Sequence, residues 1–326
     1  MESDGFVSGR SSPADDSTSG QSSLADRRFI FVTGKGGVGK TTVTAALARA
    51  LARRGKKVLI AMCNAKERIS AMFASALVGT EIIQVGERVW AVNMDPELAF
   101  EEYGHMVLKV PGLYRVVFQN KYVRAFLPAV PGLSDWAMLG KAWFHTTERD
   151  SGGGHRFDVV LFDAPATGHG LDMLRVPKVI VEVVPPGVLR RDAEAAWRMF
   201  TNPEETAVVV VTLPEELPVT ETLQLVKSVQ HDLELPFGLL AVNGVLGTLF
   251  SDPERAALGT IDLLGATQTP PEGAVQAAAR RAVQEHLQAA SLARLAEGID
   301  LPRVVLPYLF EDAATPRAIE ALSAHF

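Results

Sequence analysis

The run Gly34-Lys35-Gly36-Gly37-Val38-Gly39-Lys40-Thr41-Thr42 sets four glycines, two lysines and two threonines side by side. Its spacing, G-x-x-x-x-G-K-T, suits the holding of nucleotide phosphates. Gly34, Gly36, Gly37 and Gly39 let backbone N–H groups, including those of Val38 and Thr42, close on phosphate oxygens. Lys40 can reach the β and γ oxygens, and the Thr41 hydroxyl can ligate Mg²⁺. A nucleoside triphosphate with magnesium is the expected ligand. Such a loop works only between a strand and a helix. Arg28 to Thr33 supplies an apolar strand pattern and Thr41 to Arg54 an alanine-rich helix pattern, whose N-terminus adds partial positive charge beneath the phosphates.

Two further segments belong near that loop. Asp158 to Phe162 reads as a strand, followed by Asp163-Ala164-Pro165-Ala166-Thr167-Gly168-His169-Gly170. Asp163 at the strand end suits a magnesium-holding acid, directly or through water, and Gly168 hinges the loop that follows. With Thr41, Asp163 completes the expected metal pair. The strand Lys57 to Met62 runs into Cys63-Asn64-Ala65-Lys66-Glu67-Arg68 at the carboxyl edge of the sheet, where ligands of α/β folds gather.

With 326 residues, 47% of them hydrophobic, the chain can bury a large core. A net charge of −6 argues against an extended basic surface, so no nucleic-acid partner is expected. No apolar stretch is long enough for stable membrane insertion, and the N-terminus lacks the apolar core of a leader, which places the protein in the cytoplasm. The single cysteine, Cys63, allows no internal disulfide and no thiolate metal cluster within one chain, and reads as a small buried hydrophobe.

Residues 1–27 are dominated by Ser, Gly and Asp and read as a disordered tail. From residue 28 to 326 the expectation is one α/β domain. Val89 to Asn93, Ala207 to Thr212, Phe237 to Val242 and Arg303 to Val305 are further strand patterns, alternating with helices. That alternation predicts a doubly wound, mainly parallel sheet covered on both faces. Over about 96–156 the strand pattern gives way to a helical insertion rich in aromatics, among them Phe100, Tyr114, Phe118, Tyr122, Phe126, Trp136 and Trp143. These either form the insertion's own core or line a groove for an apolar partner. Gln276 to Ala296 reads as a long helix. Ile319, Leu322 and Phe326 give the C-terminal segment a face for docking on the core.

These segments together resemble the ArsA/Get family of deviant-Walker P-loop ATPases, the anion-pump and tail-anchored-protein-targeting type. The resemblance rests on GKGGVGKTT, on the Asp163 to Pro177 run, and on the segments from Asn202 to Thr206 and at Glu221-Thr222. It implies a P-loop nucleotide-binding fold and ATP hydrolysis. It also implies a dimer, with itself or with a related ATPase, in which Lys35 crosses the interface to the partner's nucleotide. Asn243, ending the strand LLAVN, resembles the family's adenine-recognising asparagine. A client with an apolar segment is a further implication.

The chain departs from the family where an aspartate in the segment after the second strand usually directs the attacking water. Register from that strand puts Asn64 there. An amide cannot be a general base, although its oxygen can orient water as glutamine does in some GTPases. A slowing of about 10² to 10⁴ is expected rather than abolition. The absent cysteines exclude soft-metal capture and a zinc-clamped dimer of the kind found in part of the family. Three readings follow: an ATP-hydrolysing dimeric switch coupled to a client, a hydrolysis-deficient subunit paired with a competent relative, and a positioning ATPase of the ParA or MinD type.

Overall fold

The computed structural model describes residues 24–107, 132–165, 169–261 and 269–326. The chain opens with β1 (Phe29–Gly34), α1 (Lys40–Arg53), β2 (Val58–Cys63), α2 (Ile69–Phe73), β3 (Ile83–Gly86) and β4 (Val89–Met94). It continues through α3 (Pro96–Val107), α4 (Leu133–Thr147), β5 (Val159–Asp163), α5 (His169–Val183) and α6 (Val188–Thr201). The second half holds β6 (Thr206–Thr212), α7 (Glu216–Ser228), β7 (Phe237–Val245), α8 (Asp252–Leu258), α9 (Pro270–Gly298), β8 (Arg303–Pro307) and α10 (Pro316–Ser323).

Among the described residues one eight-stranded sheet runs in the order β3-β4-β2-β5-β1-β6-β7-β8. Every pairing is parallel except β3 with β4. The period of two along each strand divides the core. Phe29 and Phe31 of β1 face one layer with Phe162, Trp136 and Phe200, while Ile30 and Val32 face α1 and α10 on the other. Helices therefore cover both faces, as a doubly wound sheet requires. The four phenylalanines at 29, 31, 162 and 200 lie with ring centroids 4.7 to 5.9 Å apart, fixing β1 against β5 and α6.

Three local outcomes differ from the sequence expectation. The tail boundary at residue 27 falls inside packed chain: Leu24 is fully buried, and a Cβ on Gly238 would lie 2.7 Å from its side chain. One leucine in a polar segment finds a glycine-sized hollow, which composition does not show. The strand β3 is also unanticipated; it is short and joins β4 through a tight turn with Arg88 at φ 57°. Finally, β7 and α9 extend beyond the runs expected for them.

In the region expected to be a helical insertion, α3 and α4 pack against each other. Trp136 is fully buried in the core under the sheet, with Phe100 and Trp143 packed against it. Tyr114, Phe118, Tyr122 and Phe126 lie outside the described residues. Ile319, Leu322 and Phe326 are buried against α1 and its neighbours, so the apolar face of α10 is occupied by the core. No helix among the described residues is long and apolar enough to cross a membrane.

Candidate active site

The cradle sits at the carboxyl end of β1, the strand flanked by β5 and β6, where the crossovers of an open α/β sheet leave a crevice. Gly34 ends the strand with φ 147°, and a Cβ there would stand 2.2 Å from the Val211 carbonyl oxygen. Gly39 precedes α1 with φ 90°, and a Cβ there would stand 2.3 Å from Nδ2 of Asn243. At Gly34 the backbone leaves no room for a side chain, while at Gly39 a side chain would displace the Asn243 amide and strain the positive φ. Gly37, at φ 85°, has open space where a Cβ would be, leaving the middle of the loop accessible. The helix α1 starts without a side-chain cap and without an acid in its first turn. Its first amides are therefore free for an anionic ligand.

The loop's charged and polar groups meet one another. Lys40 donates from Nζ to the carbonyls of Gly34, at 3.1 Å, and Lys35, at 3.0 Å. Thr41 Oγ1 donates to Asp163 Oδ2 at 2.6 Å. Thr44, one turn further on, donates to the Lys40 carbonyl and lies 3.4 Å from Asp163 Oδ1. Asn243 Nδ2 donates to the Val38 carbonyl at 2.9 Å. In this structure Asn243 thus secures the cradle's backbone, whatever further contact it makes with a ligand. Lys35 forms an ion pair with Glu221 of α7 in the same chain.

Burial sets the electrostatics. Asp163 is 4% exposed, and burial pushes its carboxyl up to about 6 against the opposing pull of Thr41, Lys40 and Thr44. Burial likewise lowers the Lys40 ammonium, with Asp163 opposing. Each group waits for a charge the protein itself does not supply in full. A divalent cation beside Asp163 and a polyphosphate beside Lys40 would supply both, so the residues present fit magnesium and a nucleotide. Among the described residues no group of three or more His, Cys, Asp or Glu side chains comes together, so this metal pair would rely on a hydroxyl, a carboxylate and ligand oxygens.

Asn64 follows β2, whose Met62 pairs with Asp163, and this puts the amide at the same sheet edge. It is exposed, with φ 43°, a conformation that Asn tolerates better than most residues. Its N–H donates to the Met94 carbonyl at 2.8 Å. Asn93 then grips the next residue, accepting from the Ala65 amide and donating to its carbonyl. Glu67 accepts from both the amide and the hydroxyl of Ser70, so its carboxylate is engaged at the start of α2. Cys63 is buried, and that burial, reinforced by Asp163 and Asp135, raises its thiol well above the ordinary range. Gly168 lies outside the described residues.

Thr44 and Asn93 are site neighbours that the motif reading did not single out, and Glu221 entered it only through the Glu221-Thr222 resemblance, not as a partner of Lys35. Thr44 had a visible clue, three residues after Thr41 on one helix. Asn93 and the pairing of Glu221 with Lys35 act across the fold and carry none. Two cavities lie outside the cradle. One of about 680 Å³ starts at Gly244, beside Asn243, and is lined by Pro214, Leu287, Tyr308 and Phe310. The other, of about 710 Å³, is an apolar groove between α4 and α5.

A parallel sheet with a glycine cradle at the end of its central strand and an acid at the end of the adjacent one defines a P-loop nucleotide-binding protein. The profile of the anion-transporting ATPase family matches residues 27–185. ATPase BagA of Mycobacterium tuberculosis is 29% identical over 303 residues, covering 88% of this chain and 88% of BagA. ATPase GET3 of Kluyveromyces lactis is 25% identical over 244 residues, covering 64% of this chain and 70% of GET3. Residues 27–185 thus match the domain of this family, and along most of its length the chain is similar to the ArsA/Get group of P-loop ATPases.

Proposed function

We propose that this ATPase is a magnesium-dependent conformational switch that acts as a dimer in the cytoplasm and couples its nucleotide state to an apolar client. The observation that carries the reading is the path from Asp163 to the groove. Asp163 holds Thr41 at the cradle, and α5 begins at His169, six positions further on. That helix lines the groove with Val176, Val179, Ile180 and Val183, at the three-to-four spacing of one helical face. Val179 and Val183 are 48% and 70% exposed. The acid at the cradle and the wall of the groove are thus close neighbours in sequence.

In this reading Thr41 and Asp163 hold Mg²⁺, Lys40 exchanges its two carbonyl partners for phosphate oxygens, and the cavity beside Asn243 takes the base. Lys35 crosses to the nucleotide of the second subunit. Held there, magnesium would supply charge neutralisation for the phosphate oxygens. Asn64 orients water without accepting its proton, so turnover is slow.

Phosphate release by the wild type, Lys40→Ala and Asn64→Asp tests this. Slow wild-type turnover above the Lys40→Ala background, with a clear gain in Asn64→Asp, is expected. Wild-type turnover equal to the Lys40→Ala background would instead support the second reading, a hydrolysis-deficient subunit that pairs with a competent relative. The amide at position 64 is the observation in favour of that reading. For a positioning ATPase of the ParA or MinD type, the occupied face of α10 offers no support.

A further inference from the structure

We infer that Glu221 is a positioning residue that parks Lys35 within its own subunit and so sets the threshold for closing the nucleotide-bound dimer. This rests on the dimer reading above. The contact is built by the sheet. Gly34 pairs with Val211 of β6, so Lys35 emerges beside the connection from β6 to α7. In α7 the residues Pro218, Val219, Thr222, Leu225 and Val226 are buried. Glu221 lies at the border of that stripe, where its carboxylate reaches the Lys35 ammonium.

Three features mark the pair as one that is made to open. Both side chains are about one-third exposed, at 32% and 31%, so neither ion would be stranded in a dry interior if they part. The second carboxylate oxygen of Glu221 is buried without a hydrogen-bond partner, so the carboxylate is held by Lys35 alone and not anchored in a network. The Lys35 carbonyl meanwhile accepts from Lys40. Phosphate arriving at Lys40 removes that backbone contact and loosens the residue whose side chain Glu221 holds. Nucleotide binding and release of Lys35 are thereby linked through a single residue.

A triphosphate presents several charged oxygens where Glu221 presents one carboxylate, so a closed dimer outcompetes the internal pair. An isolated, nucleotide-free subunit keeps it. Removing the carboxylate should therefore favour the dimer. A part-exposed ion pair holds by roughly two- to fivefold, and a symmetric dimer breaks two of them, so the dimer dissociation constant should fall about four- to 25-fold.

The test is sedimentation of the full chain with magnesium and a nonhydrolysable ATP analogue, for the wild type, Glu221→Gln, Glu221→Asp, Lys35→Ala and the double variant Lys35→Ala with Glu221→Gln. Glu221→Asp, one methylene shorter, guards against a fold-specific effect of the amide. Tighter dimers in both Glu221 variants, and loss of that gain in the double variant, would support the latch. A wild-type dimer that neither Glu221 variant tightens, or that both weaken, would overturn the latch and leave the dimer standing. No nucleotide-driven dimer in any of the proteins would overturn both.

Discussion

The cradle and the apolar groove are opposite kinds of binding surface. In the cradle, the polar groups named above already have partners: Lys40 on two loop carbonyls, Thr41 on Asp163, Asn243 on Val38 and Lys35 on Glu221. A ligand can enter only by exchanging contacts. In the groove, Val179 and Val183 stand open, and a ligand can gain only by covering them. The first surface should thus respond to charge, pH and salt, and the second to apolar area. The helix that walls the groove starts at His169, six residues after Asp163.

Four substitutions break or sharpen that contrast. The largest expected effect is on chemistry: Asn64→Asp should raise phosphate release by about 10² to 10⁴, because it restores a proton acceptor. Unchanged turnover would show that Asn64 does not face the attacking water. Next is Gly34→Ala, which puts a methyl group into the Val211 carbonyl and forces a left-handed φ on alanine. A loss of about 3 kcal/mol is expected in urea unfolding, with the groove's own residues untouched. A fully stable variant would mean the β1–β6 spacing is looser than it stands.

Asp163→Asn gives a smaller effect with a definite sign. The wild-type carboxyl is raised to about 6 in the folded, ligand-free chain, so the fold binds its proton more tightly than the unfolded chain does. Its stabilising contribution is present below about pH 4 and is lost as pH rises through 6. Relative to the variant, ligand-free wild type should weaken across that window by no more than about 3 kcal/mol. A gap between the two unfolding curves that stays flat from pH 4 to 7 would contradict the burial argument. Smallest is Val183→Ser, at a side chain 70% exposed: stability should change by less than about 0.5 kcal/mol while binding of an apolar dye falls. A large stability loss would mean that the groove is core.

The sequence makes the two regions legible to different degrees. Gly34 to Thr42 is readable because the constraint is local: glycines must sit where backbones touch, and Lys40 and Thr41 must sit where α1 begins. Asp163 is readable as an acid that ends an apolar strand. The strands flanking the cradle are readable because they are β-branched runs buried on both faces, as β6 shows. Glu221 meets Lys35 across 186 positions, and only the β1–β6 register brings them together. The groove needs α4 and α5 side by side, while Leu24 needs the hollow at Gly238. Such contacts belong to the assembled fold and leave no periodic trace.

The central claim is that a nucleotide enters by taking Lys40 from the carbonyls of Gly34 and Lys35. Titration calorimetry of the folded chain with ATP and magnesium tests this most directly, with Lys40→Ala alongside. Saturable uptake by the wild type, weakened about 10- to 100-fold by the substitution, is the predicted result. Equal uptake by both proteins, or none by the folded wild type, would contradict it.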